Sequence, residues 1–394
     1  MTTGIIAEYN PFHQGHLWHI AQTRATGASC VVVVMSGCTV QRGEFAIAQT
    51  SVRARMALEH GADLVIQLPT PWSCARAQDF ARAGVHLLRS LGCVERLSFG
   101  SESANLPLIR RATKLLTDES VISSMRRRIG EGSSFASARQ AALSEIDPQA
   151  AALLRSPNDI LAVEYLSAID HLGANLEPFA VPRKGAGHDE IGGIGFPSAS
   201  ELRIMLKTNK TGKTILCEVP SIHLLREEFS QGRAPVDMEK LETAWLLRLR
   251  SMQLEDFACL PDISEGMEHL LLRAVREGTS LRDIISTVSN KRYPTARARR
   301  ILFHALLGVS ASDLHELPHF IRLIGCTTTG RELLHRAKAT ATLPLITRHA
   351  DLRQLPEKNR QQYALECRAS NLMALAMPQP QPCGMEERRQ VISI

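Results

Sequence analysis

The stretch Gly4–Ile20 reads GIIAEYNPFHQGHLWHI, and a second apolar run, CVVVVMS, follows at Cys30–Ser36. Gly4–Glu8 predicts a short strand closed by the turn signal Asn10-Pro11, and His16–Thr26 predicts a helix. The unbroken β-branched run at 30–36 predicts a strand buried on both faces, because a sheet with one wet face would show alternation. Outward from there the alternation continues. Ser51–His60 reads as a helix, Asp63–Leu68 as a strand stopped by Pro69, Phe80–Ser90 as a helix, and Glu95–Phe99 as a strand ahead of Gly100. Asn158–Leu172 is helical after Pro157, Pro178–Pro182 is one more strand, 185–195 is a glycine-rich loop, and Ser198–Lys207 is a helix opened by cap-type serines. This order implies an α/β fold, a Rossmann-like parallel sheet covered by helices.

From about Asp237 the pattern changes. Glu242–Leu254, Glu265–Glu277, Ser280–Val288 and Ala296–Leu307 all read as helices, with no strand between them. Two shorter helices are expected at Glu316–Ile324 and Gly330–Lys338, and the Pro/Gln-rich tail after Ala376 is expected to be loose. The division expected is residues 1–215 as the nucleotide-binding catalytic part, 216–345 as a mostly helical domain, and 346–394 as a C-terminal segment with a flexible end.

Composition narrows the class. The chain has 394 residues, 44% hydrophobic and 22% charged, with a formal charge of +6. That suits a soluble globular protein of two or three domains. Its nine cysteines include no CxxC pair, so reduced thiols and a cytoplasmic location are expected. The first residues lack the layout of a signal peptide, and no apolar run reaches the ~18 residues of a membrane span.

Pro11-Phe12-His13-Gln14-Gly15-His16 lies between the first strand and the first helix. Free backbone N–H groups and the helix dipole favour an anion there. Gly15 lets a nucleotide approach the backbone. His13 and His16, three residues apart, fall on one side of the helix start. Two imidazoles so placed can donate to phosphate oxygens as charge builds on a leaving pyrophosphate, a stabilisation that grows in the transition state. The residues alone also allow helix-capping histidines, and His16–His19 has the spacing of a metal pair without further ligands. Gln41-Arg42-Gly43-Glu44 follows a buried strand at the end where α/β sheets bind ligands, which places Arg42 near substrate or phosphate. Lys291, Arg292, Arg297, Arg299 and Arg300 form the densest basic stretch. With Tyr293 they can meet RNA phosphates and stack on a base, or simply form a solvated helix face. Lys207, Lys210 and Lys213 make a second basic cluster. Asn158 reads equally as the start of a helix, and Arg183 and Lys184 as surface charges.

On these residues the chain resembles the tRNA(Met) cytidine acetate ligase family of the HIGH-type nucleotidyltransferase superfamily. The resemblance runs in order through Gly4–Ile20, VMSG (34–37), QRGE (41–44), RARMALEHGADLVIQLP (53–69), SFGSE (98–102), SPNDILAVEYL (156–166), RKGAGHD (183–189), SASELR (198–203), KRYPTARARRILFHALLG (291–308), IRLIG (321–325) and GRELL (330–334). It implies a nucleotidyltransferase fold and a two-step reaction. ATP, with Mg²⁺, and acetate would give acetyl-adenylate and pyrophosphate. The acetyl group would then pass to the wobble cytidine of elongator tRNA(Met). Carried over by position, His13 and His16 would stabilise the phosphates. Ala7, Glu8, Tyr9, Asn10, Pro11, Phe12, His13, Gln14, Gly15, His16, Leu17, Trp18, His19 and Ile20 would form the ATP site with Gly100, Asn158, Arg183 and Lys184. Ser198, Ser200 and Arg203 resemble the superfamily's second phosphate motif. The chain departs from the family at Cys38-Thr39, where Asn-Phe is usual, and at Gln49-Thr50-Ser51, where Asp-Lys-Trp is. Gln67 replaces an acid, a Tyr is missing before His188, and Lys184 stands where an apolar residue is usual. A nucleotidyltransferase acting on a phosphorylated metabolite, or an RNA-binding homologue with a weakened site, would share the first half. The long basic helical half favours the RNA enzyme.

Overall fold

The computed structural model describes residues 1–183, 197–208, 218–264 and 266–394. Its centre is an eight-stranded sheet: β1 (Thr2–Ala7), β2 (Cys30–Ser36), β3 (Leu64–Leu68), β4 (Arg96–Ser101), β5 (Glu177–Pro182), β6 (Ile321–Cys326), β7 (Leu345–Ile346) and β8 (Ile392–Ser393). The hydrogen-bonded order is β8-β6-β3-β2-β1-β4-β5, with β7 on β6. The pairings β1–β2, β2–β3, β1–β4 and β4–β5 are parallel, and β6 runs antiparallel to β3. Every residue of β2 is buried, as its unbroken apolar run requires.

The helices that matter for the site are α1 (Gln14–Ala25), α2 (Thr50–Glu59), α3 (Ala77–Ser90), α4 (Pro157–Leu172) and α5 (Ala199–Lys207). After β1 the chain builds β2 and β3 on one side of it, then crosses to lay β4 and β5 on the other. The strand order reverses at β1, so a crevice opens beyond its carboxyl end between β2 and β4. That is where doubly wound sheets bind ligands. α1 begins at this crevice.

A second core is helical. α6 (Met267–Glu277), α7 (Thr295–Leu307) and α8 (Glu357–Leu375) pack around Trp245, Phe257, Leu271, Phe303 and Met373, and Cys38, Phe45 and Cys74 reach into it from the sheet half.

Two expectations need correction. Residues 316–324 do not form a helix: Ile321–Cys326 is β6, buried throughout and paired with β3. A six-residue run this short, broken by Arg322, suits a strand or a buried helix turn equally, and only the open edge of β3 decides. The stretch from Glu242 to Leu307 carries helices and no strand among the described residues, as expected. The C-terminal tail is packed. Glu386 is buried, Arg389 donates to Gln67 at 2.5 Å, and Ile392 pairs with Gly325. The glycine-rich loop expected at 185–195, with Lys184, lies outside the described residues, as do Lys210 and Lys213.

Three of the residues that depart from the family pattern, Cys38, Thr39 and Gln49, are held by contacts from elsewhere in the chain. The Cys38 thiol donates to Glu366 of α8, Thr39 shares hydrogen bonds with Thr70 and Ser73, and Gln49 donates to Glu228. Glu366 also accepts from the Thr70 amide at 2.8 Å.

Candidate active site

The loop between β1 and α1 is held from several sides. Arg53 of α2 is fully buried and donates to the carbonyls of Glu8, Ser36, Gly37 and Ala48, tying the ends of β1 and β2 together. Sequence reading did not single it out: Arg53 and Arg55 stand on either side of Ala54, and nothing in the sequence tells the buried one from the exposed one. Asn10 Oδ1 accepts from the Ile47 amide at 2.8 Å, and its carbonyl accepts from Arg203 of α5 at 2.8 Å. Tyr9 is buried with φ of 48°, a left-handed conformation that costs an L-residue of order 1–3 kcal/mol and gathers at functional sites. Its ring meets Phe12 at 4.9 Å and His16 at 4.7 Å. Pro11 and Phe12 are buried beneath the turn, and Ala7, Leu17 and Ile20 belong to the underlying core.

His13 is the N-cap of α1. Its Nδ1 accepts from the Gly15 amide at 3.0 Å, and His16 Nδ1 accepts from the His13 amide at 3.2 Å. The two rings stack with centroids 3.8 Å apart. A Cβ on residue 15 would meet the His13 ring at 2.8 Å, so glycine is needed for this arrangement. The histidines cap the helix through Nδ1, and the same rings keep a second nitrogen that capping does not use. Each uses Nδ1 as an acceptor for a backbone amide, which assigns the proton of the neutral ring to Nε2. The Nε2–H groups remain as donors.

Burial keeps these rings neutral. It lowers the His13 pKa to about 4, aided by the nearby Arg183 and Arg203 charges. His16 is pushed well below the usual histidine range by burial, then by His13, His19 and Arg183. His19 falls to about 4 through burial and Arg183. His19 Nε2 lies 2.9 Å from Ser98 Oγ on β4, and Ser98 is 2.7 Å from Thr23 Oγ1. Thr23 donates to the His19 carbonyl, so Ser98 donates to Thr23 and accepts from His19. His19 therefore braces α1 against the sheet.

Across the crevice, Arg183 follows β5 and donates to Asn158 Oδ1 at 3.0 Å. Asn158, in the first turn of α4, donates to Glu102 at 2.6 Å, and Glu102 also takes the Asp159 amide at 2.9 Å. Glu102 was not singled out in the sequence, though it closes the SFGSE motif. Gly100 lies at the end of β4, where an added Cβ would lie 3.6 Å from Arg183 Cγ, its only neighbour within 4 Å among the described residues. Trp18 Nε1 donates to the Pro182 carbonyl at 3.3 Å, and Gln14 opens the helix.

On the other flank, Ser198 caps α5 through the Glu201 amide, while Ser200 accepts from Arg203 at 3.2 Å. Glu8 accepts from the Gln41 amide at 2.7 Å. Burial raises its pKa against that bond and the Arg203 and Arg42 charges.

The basic stretch divides. Arg297 donates to the Asp262 carbonyl at 2.6 Å, and both Arg297 and Arg300 pair with the Asp262 carboxylate at 3.5 Å. Lys291 and Arg299 are exposed, while Arg292 is half-buried, 5.7 Å from the Tyr293 ring. Tyr293 itself is 6% exposed and packs in the helical core, so the expectation that it stacks on a base is corrected.

The profile of the HIGH Nucleotidyl Transferase family matches residues 1–388. The tRNA(Met) cytidine acetate ligase of Syntrophomonas wolfei is 33% identical over 96% of this chain and 95% of its own. That of Caldanaerobacter subterraneus is 34% identical over 91% of each. The crystal structure of Thermotoga maritima TmcAL bound with alpha-thio ATP superposes with a TM-score of 0.92 at 27% identity, covering 100% of this chain and 99% of that one. With the sheet order, the β1–α1 loop and these relatives in agreement, the chain belongs to the tRNA(Met) cytidine acetate ligase family of HIGH nucleotidyl transferases.

Proposed function

We propose that the chain is an ATP-dependent acetate ligase of the cytoplasm. It would join acetate to AMP with release of pyrophosphate, then pass the acetyl group to the exocyclic amine of the wobble cytidine in elongator tRNA(Met). In the first step a carboxylate oxygen attacks the α-phosphorus and the bond to pyrophosphate breaks. In the second the cytidine nitrogen attacks the acyl carbon, AMP departs, and the amine loses a proton.

The observation that carries this reading is the stacked, neutral His13–His16 pair at the N-terminus of α1, with Nδ1 of each ring committed to the backbone. Two Nε2–H donors and the helix dipole then face the charge that develops on pyrophosphate. Because the rings are fixed before the substrate arrives, little reorganisation is left for the reaction itself. Arg183, held by Asn158, would supply a cation across the crevice, and Arg203 a second one beside Asn10. ATP would bring its Mg²⁺ with the phosphates. In this reading residues 1–215 supply the catalytic surface and 216–345 the basic face for tRNA, with 346–394 packed behind both.

The test is pyrophosphate release from ATP and labelled acetate, followed by labelling of tRNA. Each lost donor is expected to slow release by a factor of about 10–150, from about 1.5–3 kcal/mol per charge-assisted bond. His13→Ala with His16→Ala should thus abolish measurable turnover. A double variant as fast as the parent would show that the pair has no part in the chemistry.

A further inference from the structure

Beside the β1–α1 loop lies a cleft of about 310 Å³ between the two halves of the molecule. That is the size of a small ligand pocket, on the scale of roughly 300–1,000 Å³. The QRGE turn and α5 form two walls, and Arg299 of α7 and Met238 face them from the helical half. The QRGE turn is pressed against α7: Gly43 has φ of 73°, and a Cβ there would lie 2.9 Å from the backbone of Arg300. Arg42 and Arg299 thereby line one opening, one from each half of the molecule.

The charges in the cleft are unequal in their commitments. Arg203 sits 3.6 Å from Glu44, and Lys207 3.6 Å from Asp237. Arg42 and Arg299 are exposed, with no hydrogen bond or ion pair among the described residues. Beside them the lining is apolar: Phe45, Ile47, Val236, and Ile204, which is 63% exposed. Two uncommitted guanidinium groups beside an apolar lining suit a phosphodiester joined to a ribose and base. Guanidinium takes phosphate oxygens in a fork, and the apolar lining takes the rest of the nucleotide. A free carboxylate as small as acetate would leave that lining bare.

The cleft and the ATP site share a wall. Arg203 lines the cleft and also donates to the Asn10 carbonyl, three residues before His13. We infer that this cleft receives the nucleotide adjoining the target cytidine, with Arg42 and Arg299 gripping its phosphate from the two halves of the molecule. The inference rests on the tRNA-ligase reading above and adds to it an entry side for the RNA strand. It also separates Arg299 from Arg297 and Arg300, whose charges are spent on Asp262.

The test compares the parent with Arg42→Gln/Arg299→Gln and Arg42→Lys/Arg299→Lys, in full-length protein with an elongator tRNA(Met) transcript. Acetate-dependent ATP–pyrophosphate exchange, the KM for tRNA, and tRNA affinity at several salt concentrations are measured. The glutamine pair should raise KM for tRNA about tenfold or more while exchange stays within about twofold. Its log K against log salt slope should flatten by about 0.7–1, the contribution of one phosphate contact. The lysine pair should recover much of the affinity. An unchanged KM and slope in an enzyme that acetylates tRNA normally would overturn the clamp and leave the ligase reading intact. So would a parallel loss of exchange, which would make the cleft part of the ATP site. A parent inactive in both exchange and acetylation would overturn both.

Discussion

Burial of neutral histidines makes the stability of this protein depend on acid in a way that can be worked through. The His13 pKa falls from 6.5 to about 4, as does that of His19. A folded-state pKa below the unfolded one means the unfolded chain takes up the proton first. The associated stability is therefore fully present above pH 6.5, declines as the pH falls from 6.5 towards 4, and is gone below that. Between pH 7 and pH 5 the change is about 2 kcal/mol for His13, which is 7% exposed, and somewhat less for the part-exposed His19. Together they give about 3 kcal/mol. The perturbation is His13→Asn with His19→Gln: asparagine keeps an N-cap acceptor and neither replacement titrates. Urea unfolding at pH 7 and pH 5 should show the parent losing about 3 kcal/mol more than the double variant. Glu386, raised to about 7 by burial, acts in the opposite direction, losing stability as pH rises. It is common to both proteins and cancels in the difference. A bound triphosphate favours the protonated rings, so a non-hydrolysable ATP analogue should raise the parent's unfolding midpoint more at pH 5.5 than at pH 7.5. Equal acid losses in parent and variant would refute the reasoning.

Three further outcomes are expected. Arg183→Gln should move the titrations of His13, His16 and His19 upward, since it removes a cation that depresses all three, and should weaken ATP binding by about tenfold or more. Histidine ring resonances followed against pH check the first part, and unmoved titrations would place Arg183 away from the rings. Gly43→Ala should cost at least about 1–2 kcal/mol for the left-handed backbone alone, plus the clash with Arg300, measured by urea unfolding; no change would mean the turn stands off from α7. Removing residues 383–394 should expose the Gln67 and Arg322 surroundings and destabilise the fold by several kcal/mol, because it strips partners from buried charges. A truncated chain with the parent's midpoint would show the tail to be dispensable.

How much could be read in advance differs from element to element. β2 announced itself because a strand covered on both faces carries no polar residue. α4 did so because Pro157 marked its start. β6 did not: Ile321–Cys326 contains Arg322, its length fits a helix turn, and its partner β3 is some 250 residues earlier in the chain. The β1–α1 loop was legible because its arrangement is local, within His13–His16. Arg183–Asn158–Glu102 spans three elements, and no spacing rule foretells such a relay. The basic stretch was misjudged at Tyr293, Arg297 and Arg300 for the same reason. Asp262, which occupies both arginines, lies more than thirty residues away and carried no mark in the sequence.

The position of β6 has a consequence for how the molecule comes into being. The ribosome delivers β1 to β5 first, yet the edge of β3 stays open until residue 326 has emerged, and β8 closes over β6 only with the last few residues. Until then an aliphatic strand with unpaired amides is displayed, the kind of edge that invites association with other chains. Assembly of the nucleotide-binding half must therefore wait for Ile321–Cys326 and Ile392–Ser393. An evolutionary exchange of that half between proteins would have to carry the distant strand along with it.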